Sequence, residues 1–491
     1  MGLPTGVRHS IPGGFSVAKR AGRLSRSRFG EILEFVRGSC YGRAMSSSLS
    51  VAELRDLDRS HHLHPFTNHR DMHGPGTHLI KSGDGCFLID QDDRRLLDGL
   101  AGLWCVNVGY NCVAITEAVH RQMEQLPYYP SFFNSTTESP ILVAEFLAQK
   151  APARLNRAVF SNSGSEANET ALKTIRAYFK LRGQSKKSKI LSRTFSYHGV
   201  TLATTSMTGL PSCYEPFDLP LSGFIHVPGP HAYGVQSPLD HAAYGQWCLE
   251  ETARIIAREG ADTIAAMFVE PIQGAGGVIP PPPGYLLELR ELLRKKDILF
   301  VADEVITAFG RLGDWFASGL WNLDPDLMTL AKGLTSGYLP LGATMVSDEI
   351  AQTLFEGGYY AHGFTYSGHP TCAAAALANL QTIESLGLVP RVRDDVGPYF
   401  QAKLHGLAGH PAVAEIRGTA LIGAVELVPR PGTVSAPNTL GGKASNLIRE
   451  EGAIVRGIRD LIAMAPPLII THAEIDLLFD SVRRGLEKLW D

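Results

Sequence analysis

Apolar positions along the chain fall into two patterns, and their alternation predicts the architecture. Short apolar runs at 158–160, 189–192, 264–269, 299–302, 327–331 and 341–347 read as buried strands. Between them, 114–126, 166–179, 285–297 and 348–358 carry apolar residues at helical spacing. Strands alternating with helices predict an α/β domain with a largely parallel sheet. Further on, 371–386 is an Ala-rich helix, and VAEIRGTALIGAVELV (413–428) alternates like an antiparallel strand pair. A helix at 443–452, short strands around AIVRG and LIAMAPPLI, and a helix over 474–489 complete a smaller α+β domain. The pattern divides the chain into an extension over 1–50, an arm with small strands over 51–100, a large domain over 101–370 and a small one over 371–491. The arm's strands are expected to pack with the C-terminal domain.

The first 50 residues stand apart in composition. They carry arginines at 8, 20, 23, 26, 28, 37 and 43, several serines, and only Glu31 and Glu34 as acids. This is the composition of a mitochondrial transit peptide, and equally of a disordered tail or of residues upstream of a true start at Met45. Histidines crowd positions 61, 62, 64, 69, 73 and 78. Their spacing matches no common zinc pattern, so no metal is expected and the segment reads as an extended arm anchored by Pro65-Phe66. Seven scattered cysteines without a CxxC pair fit reduced thiols. A net charge of −3 gives no electrostatic case for nucleic acid or an anionic membrane, and no apolar run approaches the roughly 18 residues that span a bilayer. A cytoplasmic enzyme is the expectation, or a mitochondrial matrix one if the extension is a transit peptide.

The chemistry gathers at strand ends. Asp303 and Glu304 close the run 299–302, where an α/β sheet presents its ligand-facing groups. The run 327–331 ends in Lys332-Gly333. A lysine amine condenses with an aldehyde and a carboxylate holds a ring nitrogen protonated, which is the protein's side of a pyridoxal phosphate site. Separately, each is an ordinary residue: a solvated loop lysine, a helix-capping aspartate. Ser163-Gly164-Ser165 opens a helix, suiting either a phosphate or a plain N-cap, and no Walker lysine or G-x-G-x-x-G accompanies it. Tyr197-His198-Gly199 sets an aromatic beside a glycine, where a flat ring can approach backbone. Glu270, Gln273 and Ala275 lie where a strand becomes a Gly-rich loop. Trp104, Phe132 and Phe133 read as core or as pocket lining.

Together, LAGLWCVNVGY, SNSGSEAN, YHG, EPIQGAGGVIPPP, LFVADEVITAFGR, LAKGLTSGYLPLGA, HGFTYSGHP and APPLI make the chain resemble the class III aminotransferases. More narrowly, it looks like the pyruvate-dependent ω-aminotransferases of the diamine:pyruvate and 4-aminobutyrate:pyruvate kind. The likeness runs from about residue 60 to the end. It implies a fold type I homodimer with active sites at the subunit interface and pyridoxal 5'-phosphate as cofactor. By motif, it implies that Lys332 carries the cofactor and shuttles the proton, and that Asp303 pairs with the pyridinium nitrogen. Tyr197 would stack on the ring, Gln273 would lie near its hydroxyl, and Ser163, Gly164 and Ser165 would hold the phosphate. Thr365 would reach the partner subunit's phosphate. Phe66, Trp104, Phe132, Phe133 and Ala275 would line the substrate pocket, and Arg456 would bind the substrate carboxylate. Several 2-oxoglutarate-using relatives carry arginine directly after this His-Gly, where Val200 stands here. An apolar wall at that place points to pyruvate as acceptor. A decarboxylating aminotransferase or an aminomutase would use the same lysine and aspartate, and a pyridoxal-binding scaffold would lack turnover.

Overall fold

The computed structural model describes residues 49–70, 76–433 and 436–490. Two compact units divide the chain, 1–77 and 78–491. In the first, a helix runs over Val51–His61, ahead of the histidine-rich stretch, whose described residues 62–70 form neither helix nor strand. Ser50 and Glu53 form a reciprocal capping box at its start, satisfying two otherwise orphaned N–H groups. Within this unit His62 and His64 hydrogen-bond the Asp58 carboxylate at 3.1 and 2.8 Å. His73 and residues 1–48 lie outside the described residues.

The second unit is built on a seven-stranded sheet. Its strands are β4 (Leu155–Ser161), β5 (Lys189–Arg193), β6 (Phe224–Val227), β7 (Ile264–Val269), β8 (Leu299–Asp303), β9 (Leu327–Leu330) and β10 (Gly342–Ser347), ordered β4-β10-β9-β8-β7-β5-β6. The five strands from β9 to β6 pair in parallel, while β10 runs antiparallel to both β9 and β4. All six residues of β7 are buried and all five of β8, as expected where helices cover both faces. The parallel register sets Asp303 opposite Thr329, so the strand ends of β8 and β9 deliver Asp303 and, three residues past Thr329, Lys332 to the same rim.

Two four-stranded sheets complete the unit. The hairpin β1 (Ile80–Asp84) and β2 (Phe87–Asp90) continues through β3 (Arg95–Asp98) to a parallel pairing with β13 (Ala453–Ile454). The other has the order β11-β12-β15-β14, from β11 (Val413–Thr419), β12 (Ile422–Leu427), β14 (Arg456–Ile458) and β15 (Leu461–Met464). Among the described residues no single helix is long and apolar enough to cross a membrane.

Candidate active site

A cavity of about 390 Å³ opens at the C-terminal ends of the parallel strands. Its wall carries Ser163, Gly164, Ser165, Tyr197, Asp303 and Lys332, which the fold gathers from four separate stretches of sequence.

Burial pulls the Lys332 ammonium below its ordinary value. Arg456 acts in the same direction, while Cys105, Asp303 and Glu270 oppose it. Lys332 itself takes a left-handed backbone conformation (φ 46°), in a 3-10 turn directly after β9.

Asp303 is 4% exposed. One of its oxygens, Oδ2, accepts from His198 Nδ1 and Asn168 Nδ2, each at 2.8 Å. Oδ1 accepts from the Val305 N–H at 3.2 Å. Thr329 on β9 donates to Asn168 Oδ1, fixing which end of the amide faces the aspartate. A buried carboxylate facing a cavity, and fixed by neighbours 135 and 105 residues away in sequence, is oriented for a cationic partner. Asn168 was not legible as a site residue; it reads as one polar position on an amphipathic helix.

Glu304, the other acid of the pair, turns the opposite way. Its carboxylate accepts from the Ala317 and Ser318 N–H groups and from the Thr307 and Ser318 hydroxyls, so it organises the chain after β8 rather than facing the cavity.

Glu270 lines the cavity and joins two loops. It accepts from the Tyr197 N–H at 2.9 Å and, through its other oxygen, from the Gly274 N–H at 3.1 Å. Burial pushes its carboxyl up to about 7, with the Asp303 charge adding and His198 opposing.

The helix Gly164–Leu181 points its N-terminus at the cavity, with Ser163 as N-cap accepting from the Glu166 N–H at 3.2 Å. Ser165 Oγ accepts from the Val200 N–H at 3.1 Å. Gly199 at φ 137° brings backbone so close that a Cβ would stand 2.6 Å from Ser165 Oγ. Free helix N–H groups, hydroxyls and the positive dipole end form an anion cradle.

Arg456, on β14, places its guanidinium over the Trp104 ring, 5.3 Å from the centroid. Trp104 is 3% exposed. Gln273 stands behind the cavity wall: it is buried, donates to the Thr194 carbonyl at 2.8 Å, and leaves its Oε1 without a partner among the described residues. Ala275 follows it in the same loop, half-buried.

Phe132, Phe133 and Thr365 do not line this chain's cavity. Phe132 lines a separate groove with Tyr360, His362 and Gly363, and Phe133 beside it is 87% exposed. Thr365 is exposed, its carbonyl accepting from Tyr128 Oη at 2.7 Å. Phe66 belongs to the first unit. Val200 does not wall the cavity: its side chain is 60% exposed, because the left-handed turn at Gly199 carries the chain outward.

The family model for "Aminotransferase class-III" matches residues 69–486. The chain is 40% identical to a putrescine–pyruvate aminotransferase of Pseudomonas aeruginosa over 90% of its length and 98% of that protein's. It is 36% identical to a diaminobutyrate–2-oxoglutarate transaminase of Halomonas elongata, over 89% and 97%. Among solved structures, an (S)-enantioselective omega-transaminase from Thermomicrobium roseum superposes with a TM-score of 0.87 at 41% identity, over 90% of this chain and all of that one. An omega-transaminase of Pseudomonas jessenii gives 0.85 at 37%, over 89% and 98%. The chain belongs to the class III aminotransferases, pyridoxal-phosphate-dependent enzymes of fold type I.

Proposed function

We propose that this enzyme transfers the amino group of an ω-amino acid, diamine or other primary amine to pyruvate, releasing an aldehyde or ketone and alanine. The carrying observation is the supply of guanidinium groups. Arg456 stands over Trp104 and donates to no acceptor among the described residues. Four other arginines of this region are committed to backbone carbonyls: Arg193 to Glu270, Arg311 to Pro466, Arg417 to Gly277 and Arg459 to Gly276. One uncommitted guanidinium matches an acceptor with one carboxylate.

The site residues fit the cofactor. The Gly164 and Ser165 N–H groups with the two serine hydroxyls would take its phosphate, Asp303 its ring nitrogen, Tyr197 its face, and Lys332 its aldehyde carbon. When bound, the pyridinium ring supplies an electron sink for the bond cleaved at the amine-bearing carbon. Asp303, braced by His198 and Asn168, would hold the ring-nitrogen proton in place. Lys332 Nζ, deprotonatable because it is buried, would take the proton from that carbon and deliver it to the cofactor's aldehyde carbon within the same half-reaction, and would run the transfer in reverse in the second. Arg456 turns from the Trp104 face to grip the keto-acid carboxylate bidentately. For an amine donor without a carboxylate it stays on the ring, leaving the pocket apolar.

The groove residues enter through a second copy of the chain. Thr365, Phe132 and Phe133 lie together away from this chain's own cavity, and a homodimer would bring them to the partner's cofactor phosphate and substrate pocket.

The names of similar proteins divide between pyruvate and 2-oxoglutarate, so the acceptor is the point to test. A second carboxylate left unpaired in the pocket costs several kcal/mol. The one extra methylene returns only about 0.8 kcal/mol. With a fixed amine donor, pyruvate should exceed 2-oxoglutarate in kcat/KM by about tenfold or more, a gap of ~1.4 kcal/mol. Comparable values for the two acceptors would remove pyruvate from the assignment.

A further inference from the structure

Outside the active site, His231 is a buried side chain that lacks the partners burial demands at both of its polar atoms. His231, in the loop after β6, is 3% exposed, and neither ring nitrogen has a hydrogen-bond partner among the described residues. Buried polar atoms are nearly always paired, with protein, water or an ion. Burial, with Arg417 and Arg459 adding, disfavours its charged form.

What the ring faces is specific. Glu415 on β11 and Glu426 on β12 are cross-strand partners. A donor nitrogen of His231 and one carboxylate oxygen from each glutamate all lie within 4.8 Å of one another. Arg417 pairs with both carboxylates through Oε2 alone, leaving each Oε1 without a donor among the described residues. Its remaining reach goes to the Gly277 carbonyl at 3.0 Å, while Arg459 holds the Gly276 carbonyl at 2.6 Å.

We propose that His231, Glu415 and Glu426 form a binding site for a divalent first-row transition-metal ion, best suited to Zn²⁺. Zinc takes imidazole nitrogen and carboxylate oxygen at about 2.0–2.2 Å, which requires ligand atoms roughly 3.4 Å apart in a tetrahedron. Side-chain rotation closes the remaining gap. The imidazole nitrogen disfavours Mg²⁺ and Ca²⁺, which prefer all-oxygen shells. Arg417, hydrogen-bonded to both carboxylates through Oε2, would serve as an outer-shell group and leave each Oε1 available to the ion. The ion would staple the loop after β6 to the sheet β11-β12-β15-β14. It would also steady the two arginines that grip the loop carrying Gln273 and Ala275.

The full-length, cofactor-loaded enzyme is stripped with EDTA, desalted and titrated with Zn²⁺, reading bound metal by mass spectrometry and the unfolding temperature by calorimetry. The wild type should retain a single zinc per chain at this site and unfold at higher temperature with zinc than without. His231→Ala and Glu415→Gln should each lose that zinc and the temperature shift. Glu415 is the safer variant, its side chain being 33% exposed. The cluster Asp58, His62 and His64 offers zinc a second set of donors, so all measurements are repeated in a His62→Ala/His64→Ala background. Zinc retained by His231→Ala and Glu415→Gln in that background would overturn the site. So would the absence of any bound zinc, which would leave His231 served by water.

Discussion

Replacing Arg456 by methionine removes the guanidinium and keeps an unbranched apolar stem against Trp104. On the proposed function, the arginine of the wild-type enzyme would have two positions to choose between. On the ring, at 5.3 Å, it gains a cation–π contact worth roughly 0.5–2 kcal/mol. On a keto-acid carboxylate it gains two charge-assisted hydrogen bonds, each worth about 1.5–3 kcal/mol. The difference favours the carboxylate by roughly 3 kcal/mol, taking mid-range values of both. Arg456→Met should therefore lower kcat/KM for pyruvate by about 100-fold or somewhat more, at 1.36 kcal/mol per tenfold. An arylalkylamine carries no carboxylate and never draws the arginine from the ring, so its kcat/KM should move by no more than about threefold. Because the reaction runs in two half-reactions, each substrate is assayed alone in single turnover, following the cofactor's absorbance. Equal losses for both substrates would refute the reasoning, since they would show that the methionine had disturbed the cofactor rather than the carboxylate contact.

Asp303→Asn keeps the shape but loses the charge, and turns an amide towards the donors His198 and Asn168 at Oδ2; transamination should fall by roughly 100-fold or more, near 3 kcal/mol. A near-wild-type rate would mean that another group serves the ring nitrogen. Glu270 supplies a pH test of stability in the cofactor-free enzyme. Its carboxyl, at about 7 when folded against 4.5 as the ordinary value, keeps a proton in the folded state that the unfolded chain has already lost between those limits. The folded state binds the extra proton, so stability declines as pH rises from about 4.5 to 7, by roughly 3 kcal/mol in total. Glu270→Gln cannot ionise, so it should start from a lower plateau, having one acceptor for the Tyr197 and Gly274 N–H groups, and lose that slope. Parallel stability curves for the two proteins, from calorimetry at pH 5 to 8, would count against a buried titrating Glu270.

Some of the site was legible in the sequence because its chemistry is local. Lys332 and Asp303 sit at the ends of apolar runs, and strand ends converge in any parallel sheet, so their meeting follows from periodicity and topology alone. Ser163 as a helix start follows from the polar turn before an amphipathic stretch. The start of the helix Val51–His61 is marked in the sequence too, by Ser-x-x-Glu at 50–53. What could not be read depends on which way a side chain leaves the backbone once neighbours arrive. Asp303 and Glu304 are adjacent acids, yet one faces the cavity and the other caps the following turn. Gln273 is one step behind the wall that its motif suggests, and Val200 is turned outward by a single glycine. The position of Asn168 depends on a contact 135 residues distant. Such facts are fixed by packing, not by local pattern.

The division of labour among the arginines connects these observations. β14 and the turn after it carry Arg456 and Arg459 three positions apart, and β11 carries Arg417. Arg459 and Arg417 fasten the carbonyls of Gly276 and Gly277. A cation so engaged is held by geometry that a passing substrate would have to break, and breaking it would release the loop of Gln273 and Ala275. Arg456 has no such anchor; its alternative is the face of Trp104, a contact weak enough to leave and regain within a catalytic cycle. On the function proposed above, a mobile cation beside an aromatic ring would accommodate a charged acceptor in one half-reaction and an apolar donor in the other without rebuilding the pocket. Fixed arginines could not do this, because a substrate lacking their counter-charge would strand them unpaired and buried. On that proposal, the pairing of one movable guanidinium with two immobile ones would be the feature that lets this chain serve chemically dissimilar substrates.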